Sequence, residues 1–126
     1  IAVGEIGQVL AQGYNGFPRG VNDVIERYED RPTKYRYVVH AEANCIYNAA
    51  MNGTSLNNAT MYVFGLPACN ECAKAMIQVG IRRIVMPANQ NVPEKWLHSC
   101  EESSQMLKEA GISYDFAKFT NMELVK

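Results

Sequence analysis

His40-Ala41-Glu42 and, well downstream, Pro67-Ala68-Cys69-Asn70-Glu71-Cys72 supply the residue types of a metal centre in this 126-residue chain. One imidazole and two thiols, His40, Cys69 and Cys72, make three ligands. A structural zinc site normally closes with four protein ligands, whereas three leave a place for water. Water on such an ion ionises near neutral pH, with a pKa of roughly 7, and becomes a nucleophile. Glu42 follows the histidine by two residues, where a general acid/base for that water is needed. The chemistry suggested is zinc-assisted attack by water, so the chain reads as an enzyme.

The elements that must position these groups can be placed from pattern. Residues 35–39 look extended and deliver His40 to the start of a helix running to about Asn52, with Gly53 as its stop. Glu42, Ile46, Ala49 and Ala50 fall on one face of that helix, and a carboxylate among apolar residues is costly unless it is used. A second helix is expected from about Asn70 to Val79, stopped by Gly80, with Cys69 and Cys72 in its first turn and Cys72, Ala73, Met76 and Ile77 facing inward. Helix N-termini stabilise thiolates through their free N–H groups and partial positive charge.

Around these helices, residues 1–3 and 8–12 read as a hairpin joined at 4–7, and residues 60–64, 81–86 and 112–116 as further strands. A third helix spans about 94–110 after a polar loop through Pro93. The glycine-rich stretch 13–20 is a loop, and residues 21–34 a solvated connection or a substrate lid, with Arg31-Pro32-Thr33 as a breaker. Strands alternating with helices predict a single α/β domain over 1–126, three-layer α/β/α with a mixed central sheet. Because Ile1 opens inside an apparent strand, an N-terminal helix is expected upstream of it.

Composition narrows the class. A hydrophobic content of 48% suits one globule, and a net charge of −1 offers no broad basic field for a nucleic-acid polymer. No apolar run approaches the roughly 20 residues of a membrane span, and no secretory signal is visible. The four cysteines suit metal binding in a reducing cytoplasm better than two disulfides, so a cytoplasmic location is expected. The Cys-x-x-C pair alone also fits a redox pair or half of a four-ligand structural site, with Cys45, Cys100 or His98 as the fourth ligand. Cys45 is turned away from His40 and reads as a small buried hydrophobe. His98 and Cys100 have no ligand spacing and read as surface or packing residues.

His40-Ala41-Glu42 with Pro67-Ala68-Cys69-Asn70-Glu71-Cys72 resembles the established H-x-E…P-C-x-x-C signature of zinc nucleobase deaminases, with Ala68 inserted before the first cysteine. Gly13-Tyr14-Asn15-Gly16-Phe17-Pro18-Arg19-Gly20, Thr33-Lys34-Tyr35-Arg36-Tyr37-Val38-Val39-His40-Ala41-Glu42, Thr60-Met61-Tyr62-Val63 and Cys69-Asn70-Glu71-Cys72-Ala73-Lys74 are similar to the deoxycytidylate (dCMP) deaminases within the cytidine deaminase superfamily. That resemblance covers the chain from Leu10 to about Ile112. It implies a cytidine-deaminase-like fold and hydrolytic deamination of dCMP to dUMP, which supplies dUMP for thymidylate synthesis. It further implies Zn2+ on His40, Cys69 and Cys72, with Glu42 as proton shuttle. The Ala41 N–H would meet the pyrimidine carbonyl and Asn15 the sugar, while Arg19, with Tyr37 and Arg36 behind it, would meet the 5′-phosphate. Two departures stand out: Ala68 separates Pro67 from Cys69, and the family's N-terminal helix is absent.

The alternatives are a deaminase of the same superfamily acting on another base, nucleoside or tRNA adenosine, and, in a different class, a non-catalytic zinc-binding regulatory module. The weak charge speaks against tRNA, and retention of Glu42 speaks against a purely structural zinc. The resemblance also implies a homo-oligomer, with a hexamer favoured and a subunit contact near the helix beginning at Ala41, and dCTP and dTTP as effectors.

Overall fold

The structure is a computed structural model, described for residues 1–87 and 92–117. The expected N-terminal hairpin forms: β1 (Ala2–Val3) pairs antiparallel with β2 (Val9–Ala11), placing Ala2 opposite Ala11 and Val3 opposite Val9. On its other edge β1 pairs antiparallel with β3 (Thr60–Tyr62). From there the sheet turns parallel, β3 to β4 (Arg83–Pro87) and β4 to β5 (Ser113–Ala117), giving the order β2-β1-β3-β4-β5. The mixed sheet expected from the alternation of elements is therefore present.

Parallel neighbours need crossover connections, and helices supply them. The helix after β3 is Asn70–Gln78 and the one after β4 is Glu94–Glu109. Two right-handed crossovers stepping the same way along the sheet put both on one face. Their neighbour is the helix Ala41–Met51, which packs on Asn70–Gln78 and on β2. Met61, Met76, Ile84, Met86 and Leu107 are fully buried where these layers meet. Ile84, Val85 and Met86 are buried in succession along the central strand β4. None of the described helices is long and apolar enough to cross a membrane.

Residues 21–37 depart from expectation. They contain α1 (Ile25–Glu29) and α2 (Arg31–Tyr37), so the helices in chain order continue as α3 (Ala41–Met51), α4 (Asn70–Gln78) and α5 (Glu94–Glu109). The extended run expected over residues 35–39 is shorter at its start: 35–37 belong to α2, and the extended residues are 38–40. Pro32 opens α2 rather than breaking the chain, since a first-turn proline loses no helical hydrogen bond. Side chains reinforce that turn at helical spacing: Thr33 Oγ1 donates to Asp30 Oδ2 at 2.5 Å, and Arg31 Nη1 donates to Tyr35 Oη at 3.2 Å. Neither α1 nor α2 buries a residue. The inner face of α3 also differs by one position. Cys45, Ile46 and Ala49 are buried, while Ala50 is exposed. Part of the expected polar loop before Pro93 lies outside the described residues.

Candidate active site

His40 is the residue just before α3 and Cys69 the residue just before α4, both with extended backbone and neither spending its side chain on a helix cap. The two side chains are thus free to point at a common centre. Cys72, one turn into α4, is buried. His40 Nδ1 lies 3.4 Å from Cys69 Sγ and 3.5 Å from Cys72 Sγ. A tetrahedral zinc with bonds of about 2.1 Å to nitrogen and about 2.3 Å to sulfur would hold its ligand atoms about 3.6 Å apart. The donor set therefore fits that ion in both chemistry and spacing. Among the described residues these three form the one group of His, Cys and acidic side chains close enough to share a metal.

Cys72 shares its proton with the Cys69 sulfur, and the His40 ring and the Cys72 N–H also face that sulfur, lowering the Cys69 thiol to about 4. The same sharing with Cys69, with burial, pushes Cys72 well above the usual thiol range. His40 is raised by its contact with Cys69. One thiolate forms easily and the second is resisted, so a divalent cation binding here displaces the remaining thiol proton. Burial raises the Glu42 carboxyl above its ordinary value, with its own backbone N–H, His40 and the Cys72 thiol opposing that shift. Cys45 lies on the buried face of α3, and its thiol is raised by burial. His98 is on the surface facing Glu102 at 3.6 Å, and the Cys100 Sγ lies 4.0 Å from the Pro67 carbonyl oxygen. Neither joins the ligand group.

The loop before α3 is stitched to that helix. Asn44 Nδ2 donates to the Tyr14 carbonyl at 2.8 Å and Asn48 Nδ2 to the Gln12 carbonyl at 2.7 Å. Gly13 allows the approach: a Cβ there would press into the Cys45 backbone nitrogen and lie 2.7 Å from the Ala41 carbonyl oxygen. Gly16 and Val39 exchange two backbone hydrogen bonds, which aligns the loop with the strand-like entry to His40. The Ala41 N–H donates to Asn15 Oδ1 at 2.7 Å. On the other side, Ser99 of α5 accepts from the Asn70 N–H at 3.0 Å and donates to Asn70 Oδ1 at 2.8 Å, anchoring the first turn of α4.

A cavity of about 540 Å³ opens over this centre, within the roughly 300–1,000 Å³ of small-molecule sites. Asn15, His40, Ala41, Glu42 and Cys69 line it. Arg19 and Tyr37 are not among its lining residues. Arg19 donates to Asn48 Oδ1, while Tyr37 packs against Phe17 with the Arg27 guanidinium 4.7 Å above its ring. Arg36 is bonded to Thr33 and is also absent from the lining. Cations that the sequence did not single out do line the cavity: Arg31 and Lys34 from α2, and Lys95 from the first turn of α5. Lys95 Nζ donates to Tyr35 Oη at 2.7 Å and sits over the Tyr35 and Trp96 rings. The signals available for them were Pro32, which starts a helix, and the single tryptophan beside Lys95.

Residues 1–88 match the family described as cytidine and deoxycytidylate deaminase zinc-binding region. A probable deoxycytidylate deaminase of Drosophila melanogaster is 36% identical over 117 residues, 85% of this chain and 55% of its own length. The deoxycytidylate deaminase of Mus musculus is 36% identical over 90% of this chain and 62% of its own. That of Homo sapiens is 39% identical over 66% and 48%. The chain therefore spans between about half and three-fifths of the relatives it matches. A crystal structure of dCMP deaminase from the cyanophage S-TIM5 in apo form shares its fold, with a TM-score of 0.66 at 19% identity, covering 92% of this chain and 76% of that one. On this match and on the His40-Cys69-Cys72 group, the chain belongs to the cytidine and deoxycytidylate deaminase zinc-binding family.

Proposed function

We propose that the chain catalyses hydrolytic deamination of dCMP to dUMP and ammonia. The observation that carries this reading is a three-ligand His40-Cys69-Cys72 group with Glu42 beside it in one cavity, in a chain whose relatives are named deoxycytidylate deaminases. His40, Cys69 and Cys72 would hold zinc. Zinc held by them would supply an acidified water as nucleophile.

The rest of the chemistry falls to this chain's own side chains. Glu42 takes the proton of the attacking water on a carboxylate oxygen. It delivers that proton to the ring nitrogen, then takes the remaining hydroxyl proton of the tetrahedral adduct and delivers it to the amine nitrogen, so that the C–N bond breaks with ammonia rather than an amide ion departing. Burial suits it to this task, because raising the carboxyl above its ordinary value makes the carboxylate a stronger base toward the attacking water. The Ala41 N–H is the donor for the pyrimidine carbonyl, and Asn15 the partner of the sugar. Asn15 Oδ1 accepts the Ala41 N–H, so a substrate carbonyl meeting that N–H would take the place of this acceptor.

The same reading includes a cytoplasmic location, one domain over 1–126 and a homo-oligomer, with a hexamer favoured and dCTP and dTTP as effectors. Exposed Tyr47 and Met51 on α3 support the oligomer, because apolar side chains on one helix are commonly buried by a partner copy. Ammonia release from dCMP, deoxycytidine, cytosine and adenosine by the zinc-loaded chain tests the activity. dCMP is the expected best substrate; preference for an adenine nucleoside or for free cytosine would overturn the reading.

A further inference from the structure

Helix α4 begins with a metal-ligand residue where a helix cap ordinarily stands. The first N–H groups of a helix have no partner within it, and the residue before the helix commonly caps one of them with its side chain. Here that residue is Cys69, whose sulfur is committed to the ligand group. The first N–H of α4, that of Asn70, is capped from another helix. Ser99 Oγ on α5 accepts it at 3.0 Å and donates its own proton to Asn70 Oδ1 at 2.8 Å. A hydroxyl has one proton to give, so the donor and acceptor roles of Ser99 both go to the residue next to Cys69. Ser99 is held in turn by α5 itself, because the buried Ser103 donates through Oγ to the Ser99 carbonyl at 2.9 Å.

Two bonds to one residue fix its direction as well as its distance. Asn70 is bonded covalently to Cys69 and lies two residues before Cys72, so the clamp acts where both sulfurs take their aim. Groups outside the ligand set orient the ligands of a metal, and a working site needs them placed to within about 0.5 Å. The side-chain half of the clamp has its own consequence. A free asparagine amide competes for backbone N–H groups nearby. With Asn70 Oδ1 occupied by the Ser99 hydroxyl, the Cys72 N–H is left facing the Cys69 sulfur.

We propose that Ser99 is a positioning residue of the zinc centre, acting through Asn70 to hold Cys69 and Cys72 in the orientation the ion requires. It lines the same cavity as His40 and Glu42, yet its hydroxyl is turned to α4. The assignment deepens the proposed function and rests on it for zinc at His40, Cys69 and Cys72, not for the identity of the base. It also gives α5 a role in the metal centre, although that helix supplies no ligand to it.

Zinc affinity of the full chain, read by competition with a chromophoric chelator, tests the assignment without turnover. Ser99→Ala should weaken zinc binding by about 10–100-fold, the range for losing a partner that orients metal ligands. Asn70→Ala keeps the backbone half of the clamp and should lose less. Ser99→Thr keeps the hydroxyl and should restore the wild-type affinity. With cobalt in place of zinc, Ser99→Ala should shift the thiolate-to-metal absorption band and Ser99→Thr should leave it in place. Urea unfolding of the metal-free chains reads the packing contribution separately. Should Ser99→Ala fail to fold, Asn70→Ala carries the same expectation of weaker zinc binding and a shifted cobalt band. A lower urea midpoint with zinc affinity and cobalt spectrum unchanged would make Ser99 a packing residue only and overturn the proposal, as would an equal loss of affinity in Ser99→Thr. The two readings fail separately. Weaker zinc binding in Ser99→Ala, with no ammonia released from dCMP by the zinc-loaded wild type, refutes the deaminase and upholds the positioning role. Ammonia release from dCMP with zinc affinity unchanged in Ser99→Ala refutes the positioning role alone.

Discussion

At the residue scale, charge and fold meet at Tyr35. Lys95 first and Arg31 second hold its phenol down at about 8, against an ordinary value near 10. The folded chain therefore favours the phenolate. As the pH rises through about 8, the contact from Lys95 becomes an ion pair and the bond between α2 and α5 strengthens. That contribution is complete above the unfolded value near 10 and is lost as the pH falls through about 8. Difference absorbance should detect one tyrosine ionising near 8, and Lys95→Met should shift it upward. The metal ligands and Glu42 were legible because each belongs to a short motif at a helix start, where local sequence fixes direction. The cations were not, because Lys95 and Arg31 converge only through tertiary contact.

The loop from Gly13 to Gly20 and the helix α3 behave as one unit at the scale of elements. Asn44 and Asn48 bond the loop carbonyls, and Gly13 lies against the helix backbone. Gly13→Ala should cost about 1–3 kcal/mol, the range for forcing an extra methyl into a filled space. Urea unfolding reads that loss, and an unchanged midpoint would show that the loop can move away from α3. The glycines and the proline correctly marked this stretch as a loop. Its docking on α3 was hidden, because asparagines four residues apart on a helix look like ordinary surface polarity. The region of α1 and α2 was misread for a related reason. Helices with no buried face carry no apolar periodicity, so their turns were signalled only by Pro32 and by polar pairs such as Thr33 with Asp30.

For the whole molecule, zinc binding is linked to stability. The three ligands come from the starts of α3 and α4, which meet only in the folded chain, so an ion bound there favours the native state. Free zinc at a hundredfold excess over its Kd adds about 2.7 kcal/mol, or roughly 10 °C in Tm, which a chelator should remove. Light scattering should return a multiple of 14.1 kDa, and a value equal to one chain would refute the oligomer. The mixed sheet was legible from the alternation of strands and helices, since parallel pairing of β3, β4 and β5 follows from their helical crossovers. The central claim is that Glu42 moves the protons of a zinc-dependent deamination. Its most direct test is the rate of ammonia release from dCMP by wild type and Glu42→Gln, each carrying one zinc per chain. The account predicts a loss of about 10²–10⁴-fold or more with the fold and metal retained, and equal rates in the two proteins would contradict it.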